Sequence, residues 1–178
     1  GIEDQLGFLQ LFKELGVGVM QIAYNTQNLV GCGCYEKNDS GLSEFGHEVI
    51  AEMNRVGMAI DMSHSAERTT LETIALSKRP VCISHANPSS WHPVARNKSD
   101  AVLKALGQSG GMLGFSLYPL HLKGGSACTT RGRVFRATAG LDVAFFIHGF
   151  DRRAVINFFD LSLEGCALAI RHRDFVER

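Results

Sequence analysis

The sequence has no excess of charge of either sign, because its 178 residues carry 18 basic and 18 acidic side chains. A balanced charge gives no argument for a nucleic-acid partner or an anionic membrane surface. Long apolar runs are also missing, since runs such as 143–147 and 166–170 fall far short of the roughly 20 residues that cross a bilayer. No secretory signal opens the chain, which starts at Gly1 without a Met. We therefore expect an interior part of a longer protein, without a transmembrane segment.

A disulfide framework is missing as well. The five cysteines are an odd number, and their spacing matches no known pairing pattern. Cys32 and Cys34 form a single Cys-x-Cys without a second such motif, which is a weak indication of a zinc site. Unpaired thiols are typical of a reducing compartment, so we expect a cytoplasmic location.

The sequence does contain a repeated alternation of amphipathic helices and short apolar strands. Hydrophobic residues make up 45% of the chain, which is enough for a globular core. Apolar positions spaced three or four apart predict helices, and short apolar runs after glycine or proline predict strands. The predicted helices are 4–15, 43–56, 66–79 and 99–106, and the predicted strands are 17–23, 58–62, 81–84 and 112–117. Four such units with parallel crossovers indicate a barrel or a doubly wound sheet.

Two of the predicted strands, 58–62 and 81–84, end in Ser-His, which places His64 and His85 at strand ends. Chemistry in parallel sheets lies where strands end and loops begin, so we expect both histidines at one edge. Neutral imidazole is the commonest metal ligand in proteins and binds zinc readily. From the residues alone, the two histidines are either metal ligands or a pair of buried, hydrogen-bonded imidazoles. Strand alternation points Asp61 away from His64 and favours a hydrogen-bonded structural role for that acid.

The two Ser-His motifs belong to a longer series. GLSEFGHEVIAEMNRVGMAIDMSH is followed by CISHANPSSWHPVARNKSD, and His64, His85 and Arg96 are separated by 21 and then 11 residues. This series resembles the membrane dipeptidase (renal dipeptidase) family of zinc metallopeptidases over about residues 4–127. The resemblance implies an α/β fold, a (β/α)8 TIM-type barrel, of which this chain would contain about half.

The resemblance also implies roles for individual residues. In the intact family site, two zinc ions hold a bridging hydroxide that attacks the peptide bond of a dipeptide. By position, His64 and His85 would be ligands of one zinc ion in a partial site. Arg96 would bind the substrate carboxylate, for which its planar fork of donors is suited, and a loop salt bridge is the alternative. Tyr24 replaces a family histidine at a strand end and would contact substrate.

Several parts of the family's site are not found in the sequence. The first-strand His-x-Asp ligands and the carboxylate that bridges the metals are expected upstream of Gly1. The late-strand motif G-x-G-x-D, which would carry the catalytic acid, does not occur in the chain. We therefore assign no catalytic residue.

The character of the sequence changes after about residue 128. Residues 129–178 contain eight arginines and no lysine, whereas residues 1–128 contain four arginines and six lysines. We therefore divide the chain into a partial metal-dependent-hydrolase barrel, 1–128, and a divergent segment, 129–178, for which a shifted reading frame in the gene is one explanation. The weakly specified elements predicted there are strands at 145–147 and 154–159 and a helix at 161–170.

Three functions stay open on the sequence. The first is a zinc-dependent, dipeptidase-like protein that acts on a dipeptide-like small substrate and is incomplete, with weak activity or none. The second is a non-catalytic remnant that serves as an interaction module. The third is a related metal-dependent amidohydrolase acting on another amide or a lactone. We expect no nucleic-acid partner, and a homodimer is one assembly open to the chain.

Overall fold

A computed structural model describes residues 1–116 and 118–124 in full, together with the backbone of residues 144–148. Helices and strands alternate along these residues, as the sequence predicts. The helices are α1 (Gly7–Glu14), α2 (Glu44–Val56), α3 (Glu67–Leu76) and α4 (Asp100–Gln108), and the strands are β1 (Val19–Gln21), β2 (Ala59–Asp61), β3 (Cys82–Ile83), β4 (Met112–Ser116) and β5 (Ala144–His148). A short 3₁₀ helix, Pro119–His121, follows β4. None of the helices in these residues is long and apolar enough to cross a bilayer.

The five strands form one parallel sheet in the order β1-β2-β3-β4-β5. A doubly wound sheet reverses its strand order at a switch point, and the order here does not reverse. Sequential parallel strands with intervening helices are the arrangement of a (β/α)8 barrel, so the described residues form a segment of such a barrel. β5 confirms the strand predicted at 145–147. The elements predicted at 154–159 and 161–170 lie outside the described residues.

Local capping residues set most of the helix ends. Ser43 and Ser99 each accept a hydrogen bond from the backbone N–H three residues further along, as N-caps do. Gly57 ends α2 with a φ of 74°, a conformation that glycine adopts without a Cβ penalty. Ser65 precedes α3, and a serine at such a position would be expected to cap the helix. The cap is Ala66 instead, and the buried hydroxyl of Ser65 has no partner within the described residues.

The core lies between the sheet and its helices, and each fully buried aliphatic or aromatic side chain there contributes about 1.5–3 kcal/mol. It includes Leu9, Val49, Met53, Ile60, Ile83, Leu103, Leu113 and Phe115. The predicted strand 17–23 is buried only in part. Ile22 and Ala23 are 2% exposed, whereas Val19 of β1 is 53% exposed, because β1 lies at the edge of the sheet and pairs only with β2 among the described strands.

Candidate metal centre

Three of the predicted site residues follow neighbouring strands at equivalent positions. One register row crosses β1, β2 and β3, and its members are Gln21, Asp61 and Cys82. Tyr24, His64 and His85 each come three residues after a member of this row. Equal offsets from one register row bring the three side chains to the same edge of the sheet, where the strands have their carboxyl ends.

The side chains of His64 and His85 meet at this edge. Their Nε2 atoms are 2.9 Å apart, and their ring centroids are 5.0 Å apart. His64 is 8% exposed, and His85 is half-buried. The structure therefore brings together the two histidines that the sequence places at strand ends, and their role as ligands stays a prediction.

Hydrogen bonds to the other ring nitrogens determine where the imidazole protons lie. Nδ1 of His64 is 2.7 Å from Oδ1 of Asn25, an oxygen that can only accept, so this Nδ1 carries a proton. Nδ1 of His85 is 2.8 Å from the hydroxyl of Ser84. That hydroxyl donates its own proton to Oδ2 of Asp61 at 2.5 Å and must therefore accept from His85. Both histidines thus turn unprotonated Nε2 atoms toward each other.

Two facing lone pairs repel each other unless a cation lies between them. A proton on Nε2 of His64 is disfavoured, because burial, and after it the charge of Arg96, lowers the pKa of His64 to about 4. A metal ion fits, since two nitrogens bound to one zinc ion at about 2.0–2.1 Å lie roughly 3 Å apart. Zinc-bound histidines also usually donate their other N–H to an oxygen, as His64 and His85 do here. The two side chains therefore suit zinc.

The described residues supply only part of a ligand set. Across residues 1–116 and 118–124, no group of three histidine, cysteine or acidic side chains is arranged to hold a metal ion. A catalytic zinc usually has three protein ligands. His64 and His85 would therefore provide two of the ligands that such a site requires.

Asp61 is the carboxylate behind the two histidines, and only 4% of it is exposed. It accepts hydrogen bonds from the backbone N–H and the hydroxyl of both Ser63 and Ser84. Burial raises the pKa of Asp61, but these hydrogen bonds outweigh that effect and hold the pKa below its ordinary value. The interpretation of Asp61 as a hydrogen-bonded structural acid is confirmed. Its ionised form also fixes the direction of the Ser84 hydroxyl and thereby the tautomer of His85.

The turn 62–65, which carries His64, is held through its main-chain carbonyls. The ammonium of Lys98 donates to the first and the last of these carbonyls, at 2.9 and 2.7 Å. The guanidinium of Arg96 donates to the second, and the backbone N–H of Cys34 donates to the third at 2.9 Å. Burial, and after it the charge of Arg96, lowers the pKa of Lys98 to about 8. Every carbonyl of the turn therefore accepts a hydrogen bond, and two charged side chains contribute to this support.

Replacing Lys98 with Met should loosen the turn without altering either histidine. The variant keeps a side chain of similar length but removes the donor to two carbonyls, so we expect the zinc affinity to fall about tenfold, as for other changes behind a metal ligand. Calorimetric titration with zinc measures this affinity. Lys104→Met, a change at an exposed lysine, is the matched control. An unchanged affinity for the Lys98→Met variant would show that the turn holds His64 without this support.

Arg96 and Tyr24 line a cavity of about 750 Å³ that also includes His64 and His85. Arg96 is 3% exposed, and besides the turn it donates to the carbonyl of His85 at 3.3 Å. Burial lowers the pKa of Arg96. The part of the chain that the structure describes contains no salt bridge to Arg96, so the alternative of a loop ion pair is not seen there. Tyr24 is 66% exposed, and its ring stacks on that of His64 with centroids 4.1 Å apart.

The Cys-x-Cys segment holds the loop that supports His64. The thiols of Cys32 and Cys34 are free, and the expectation of unpaired cysteines is met at these positions. Gly33 lies between them, where an added Cβ would be 2.2 Å from the backbone of Asn25, so only glycine fits this contact. Asn25 itself has a φ of 66°, a left-handed conformation that asparagine tolerates better than most residues. The segment therefore fixes the amide that orients His64.

Asn25, Ser84 and Lys98 support the two histidines, and none of the three is predicted from the sequence as a site residue. A signal for the serines exists, because the dipeptide Ser-His ends both strands and places two hydroxyls at one edge. A signal for Asn25 is weaker, since it rests only on a polar residue directly after Tyr24. No sequence signal marks Lys98, because the carbonyls that it reaches lie more than thirty residues away in the chain.

Comparisons with known proteins identify relatives of this chain. The family model for membrane dipeptidases, peptidase family M19, matches residues 1–157, a range that extends past residue 128. An uncharacterized dipeptidase of Schizosaccharomyces pombe is 32% identical over 121 residues, which are 66% of this chain and 29% of that protein. The chain thus spans less than a third of the length of the curated relatives it matches. The division of the chain at residue 128 stays a prediction.

Two solved structures are also similar. An amidohydrolase from Pseudomonas aeruginosa is 42% identical with a TM-score of 0.75, and the match covers 85% of this chain and 49% of that one. A metallo peptidase from Rhodobacter sphaeroides, liganded with a phosphinate mimic of the dipeptide L-Ala-D-Ala, is 25% identical with a TM-score of 0.73. That match covers 81% of this chain and 46% of the other. These likenesses agree with the parallel α/β sheet described above.

Proposed function

This chain belongs to the membrane dipeptidase family, and we propose that it is a zinc-dependent, dipeptidase-like protein whose His64 and His85 bind one zinc ion. The observation that carries the proposal is the contact of 2.9 Å between Nε2 of His64 and Nε2 of His85, two rings whose Nδ1 atoms are each bonded to an oxygen. That arrangement is unfavourable without a cation and suits one that binds nitrogen. Hydrolysis of dipeptides is the activity that the family relationship supports.

Bound zinc would supply Lewis acidity and lower the pKa of water so that it can attack a carbonyl. The residues of the chain supply the rest. Asn25 and Ser84 hold the two imidazoles in the tautomer that exposes Nε2. Arg96 lies in the cavity wall, and we propose that its planar guanidinium binds the carboxylate of a dipeptide. Tyr24, stacked on His64 and largely exposed, would pack against the substrate.

We expect this chain alone to bind zinc weakly and to hydrolyse dipeptides slowly or not at all. The described residues bring together two ligands where a catalytic zinc usually has three. The side of β1 that has no partner among the described strands also leaves apolar surface exposed, including Val19. An assay of Ala-Ala hydrolysis, with and without added zinc, checks the expectation. Rapid zinc-dependent turnover would contradict the partial site, and zinc-independent turnover would contradict the proposed chemistry.

A second candidate function is hydrolysis of another amide or a lactone by the same metal chemistry. The observation that favours it is the 42% identity to a protein described as an amidohydrolase. Substrate profiling separates the two candidates. Turnover of N-acyl amides or lactones with no turnover of dipeptides would favour the second, and the reverse result would favour the first.

We propose a cytoplasmic location, because the described thiols of Cys32, Cys34 and Cys82 are free. The balanced charge supports a protein without a nucleic-acid partner. The edge of β1, which pairs on one side only among the described strands, supports self-association as a homodimer, since an open strand edge is a template for another strand. The same exposed edge would serve a non-catalytic interaction module.

A further inference from the structure

The cavity at the two strand-end histidines contains a third buried imidazole, which the proposed chemistry does not use. His121 ends the 3₁₀ helix after β4 and is only 7% exposed. It lines the same cavity as His64 and His85. Its ring packs edge-on against that of Tyr118, with centroids 5.1 Å apart. A buried polar ring in the wall of a binding cavity requires a reason for its polarity.

Hydrogen bonding assigns the proton of His121 to Nε2. Nδ1 of His121 is 2.7 Å from the hydroxyl oxygen of Ser116, and the same oxygen accepts the backbone N–H of Tyr118 at 3.3 Å. Within the described residues, the hydroxyl of Ser116 has no other acceptor for its own proton, so it donates to Nδ1. A neutral imidazole that accepts at Nδ1 carries its proton on Nε2. Burial, and after it the charge of Arg96, lowers the pKa of His121 to about 4, so the ring is neutral near pH 7.

The Nε2–H group of His121 is the donor that this ring has left for the cavity. His121 lines the cavity, and its Nδ1 atom is bonded to Ser116 at the end of β4. Nε2 lies on the other side of the ring from that bond, and it makes no hydrogen bond within residues 1–116 and 118–124.

The backbone position of His121 is fixed by two amide side chains. Its carbonyl accepts from Nδ2 of Asn87 at 3.1 Å and from Nδ2 of Asn97 at 3.0 Å. Asn87 also donates to the carbonyl of Ser116 at 2.9 Å, so one side chain ties the 3₁₀ helix to the end of β4. All four of these residues are buried. A donor held in this way is preorganised, and it loses little freedom when it binds a ligand.

Building on the dipeptidase-like function proposed above, we infer that His121 is a substrate-binding residue that donates its Nε2–H to a carbonyl or carboxylate oxygen of the substrate. The cavity then presents imidazoles of two complementary kinds. His64 and His85 offer lone pairs to a cation, whereas His121 offers a proton to an oxygen. A neutral N–H donor attracts oxygen acceptors and gives no stabilisation to an ammonium group, so it also helps to orient a dipeptide by its polar ends.

The tautomer can be read directly, without zinc or substrate. Two-bond 1H–15N spectra of the uniformly 15N-labelled full chain distinguish imidazoles protonated at Nδ1 from those protonated at Nε2. We expect Nε2–H for His121 and Nδ1–H for His64 and His85. Ser116→Ala removes the hydroxyl that donates to His121 and should give that ring a mixed tautomer. An Nδ1–H tautomer for His121 in the parent chain would overturn the inference.

A matched set of variants tests the role in binding. His121→Gln retains an N–H donor close to the position of Nε2, whereas His121→Phe keeps the ring shape without a donor. We expect the affinity for Ala-Ala, measured by calorimetry, to fall about fivefold in His121→Phe and much less in His121→Gln, since one neutral hydrogen bond is worth about 1 kcal/mol. In any variant that hydrolyses Ala-Ala, the loss should appear in KM rather than in kcat.

The outcomes separate this inference from the proposed function. Equal losses of affinity in the two variants, or no binding of Ala-Ala by the parent chain, would overturn the role of His121. Thermal unfolding of both variants reports whether they fold, and an unfolded His121→Phe variant leaves the Ser116→Ala spectrum as the deciding measurement. Binding of Ala-Ala that depends on the His121 donor, without hydrolysis under any zinc condition, would refute the peptidase activity and leave the inference intact.

Discussion

Replacing His85 with Ala is expected to abolish detectable zinc binding, with a fall in affinity of more than about a hundredfold. Changes in groups that merely orient a metal ligand cost about 10- to 100-fold, so loss of a ligand itself should exceed that range. His85 supplies one of the two Nε2 atoms that face each other at 2.9 Å. Without it, His64 would be a single imidazole at the edge of the sheet, and a single imidazole binds zinc poorly.

Calorimetric titration with zinc measures the effect, and His47→Ala is the matched control. His47 is exposed on α2, so its loss should leave the affinity unchanged. His64→Ala should cause a loss similar to that of His85→Ala, and the double variant should lose little more, because two ligands of one ion act as a unit. Independent and additive losses would mean that the histidines bind separate ions. Retained affinity in His85→Ala would remove the metal centre proposed here.

The convergence of the two histidines could be predicted because it depends on local pattern and one topological rule. Each strand ends in Ser-His, and parallel neighbouring strands have their carboxyl ends at one edge. The register agrees with this prediction. Asp61 pairs with Cys82, His64 lies three residues after Asp61, and His85 lies three residues after Cys82. The helix ends at Ser43, Gly57 and Ser99 follow equally local rules, and the structure confirms them.

The parts that could not be predicted depend on contacts between distant segments. Lys98 reaches the turn that carries His64, and the hydroxyl of Ser116 sets the tautomer of His121. No periodicity marks such contacts, because each one depends on where two loops meet rather than on a repeating face. The failed cap at Ser65 has the same cause. Ser65 itself forms an isolated β-bridge with Gly33, and this loop contact rather than the helix decides its position.

The charge of Asp61 is expected to be the main stabilising feature of this edge, so that Asp61→Asn should lower the free energy of unfolding by about 2–4 kcal/mol. The carboxylate accepts four hydrogen bonds from Ser63 and Ser84. An amide replaces one accepting oxygen by an NH2 group, which would face N–H and O–H donors in a site that is 4% exposed. Each buried polar group left without a partner costs about 1–3 kcal/mol, and more where a charge was involved.

Urea unfolding followed by circular dichroism measures the change, and Asp4→Asn at an exposed position is the control. The stabilisation from ionised Asp61 is present above the ordinary carboxyl pKa of about 3.9 and is lost as the pH falls through the lower pKa of the folded state, so the two proteins should converge in stability in strong acid. A loss of less than about 1 kcal/mol would show that the amide finds partners that the carboxylate geometry does not predict.

Asp61→Asn should also free the Ser84 hydroxyl from its role as donor to a carboxylate. The tautomer of His85 would then become mixed, and stability and metal affinity would fall together because one carboxylate supports both.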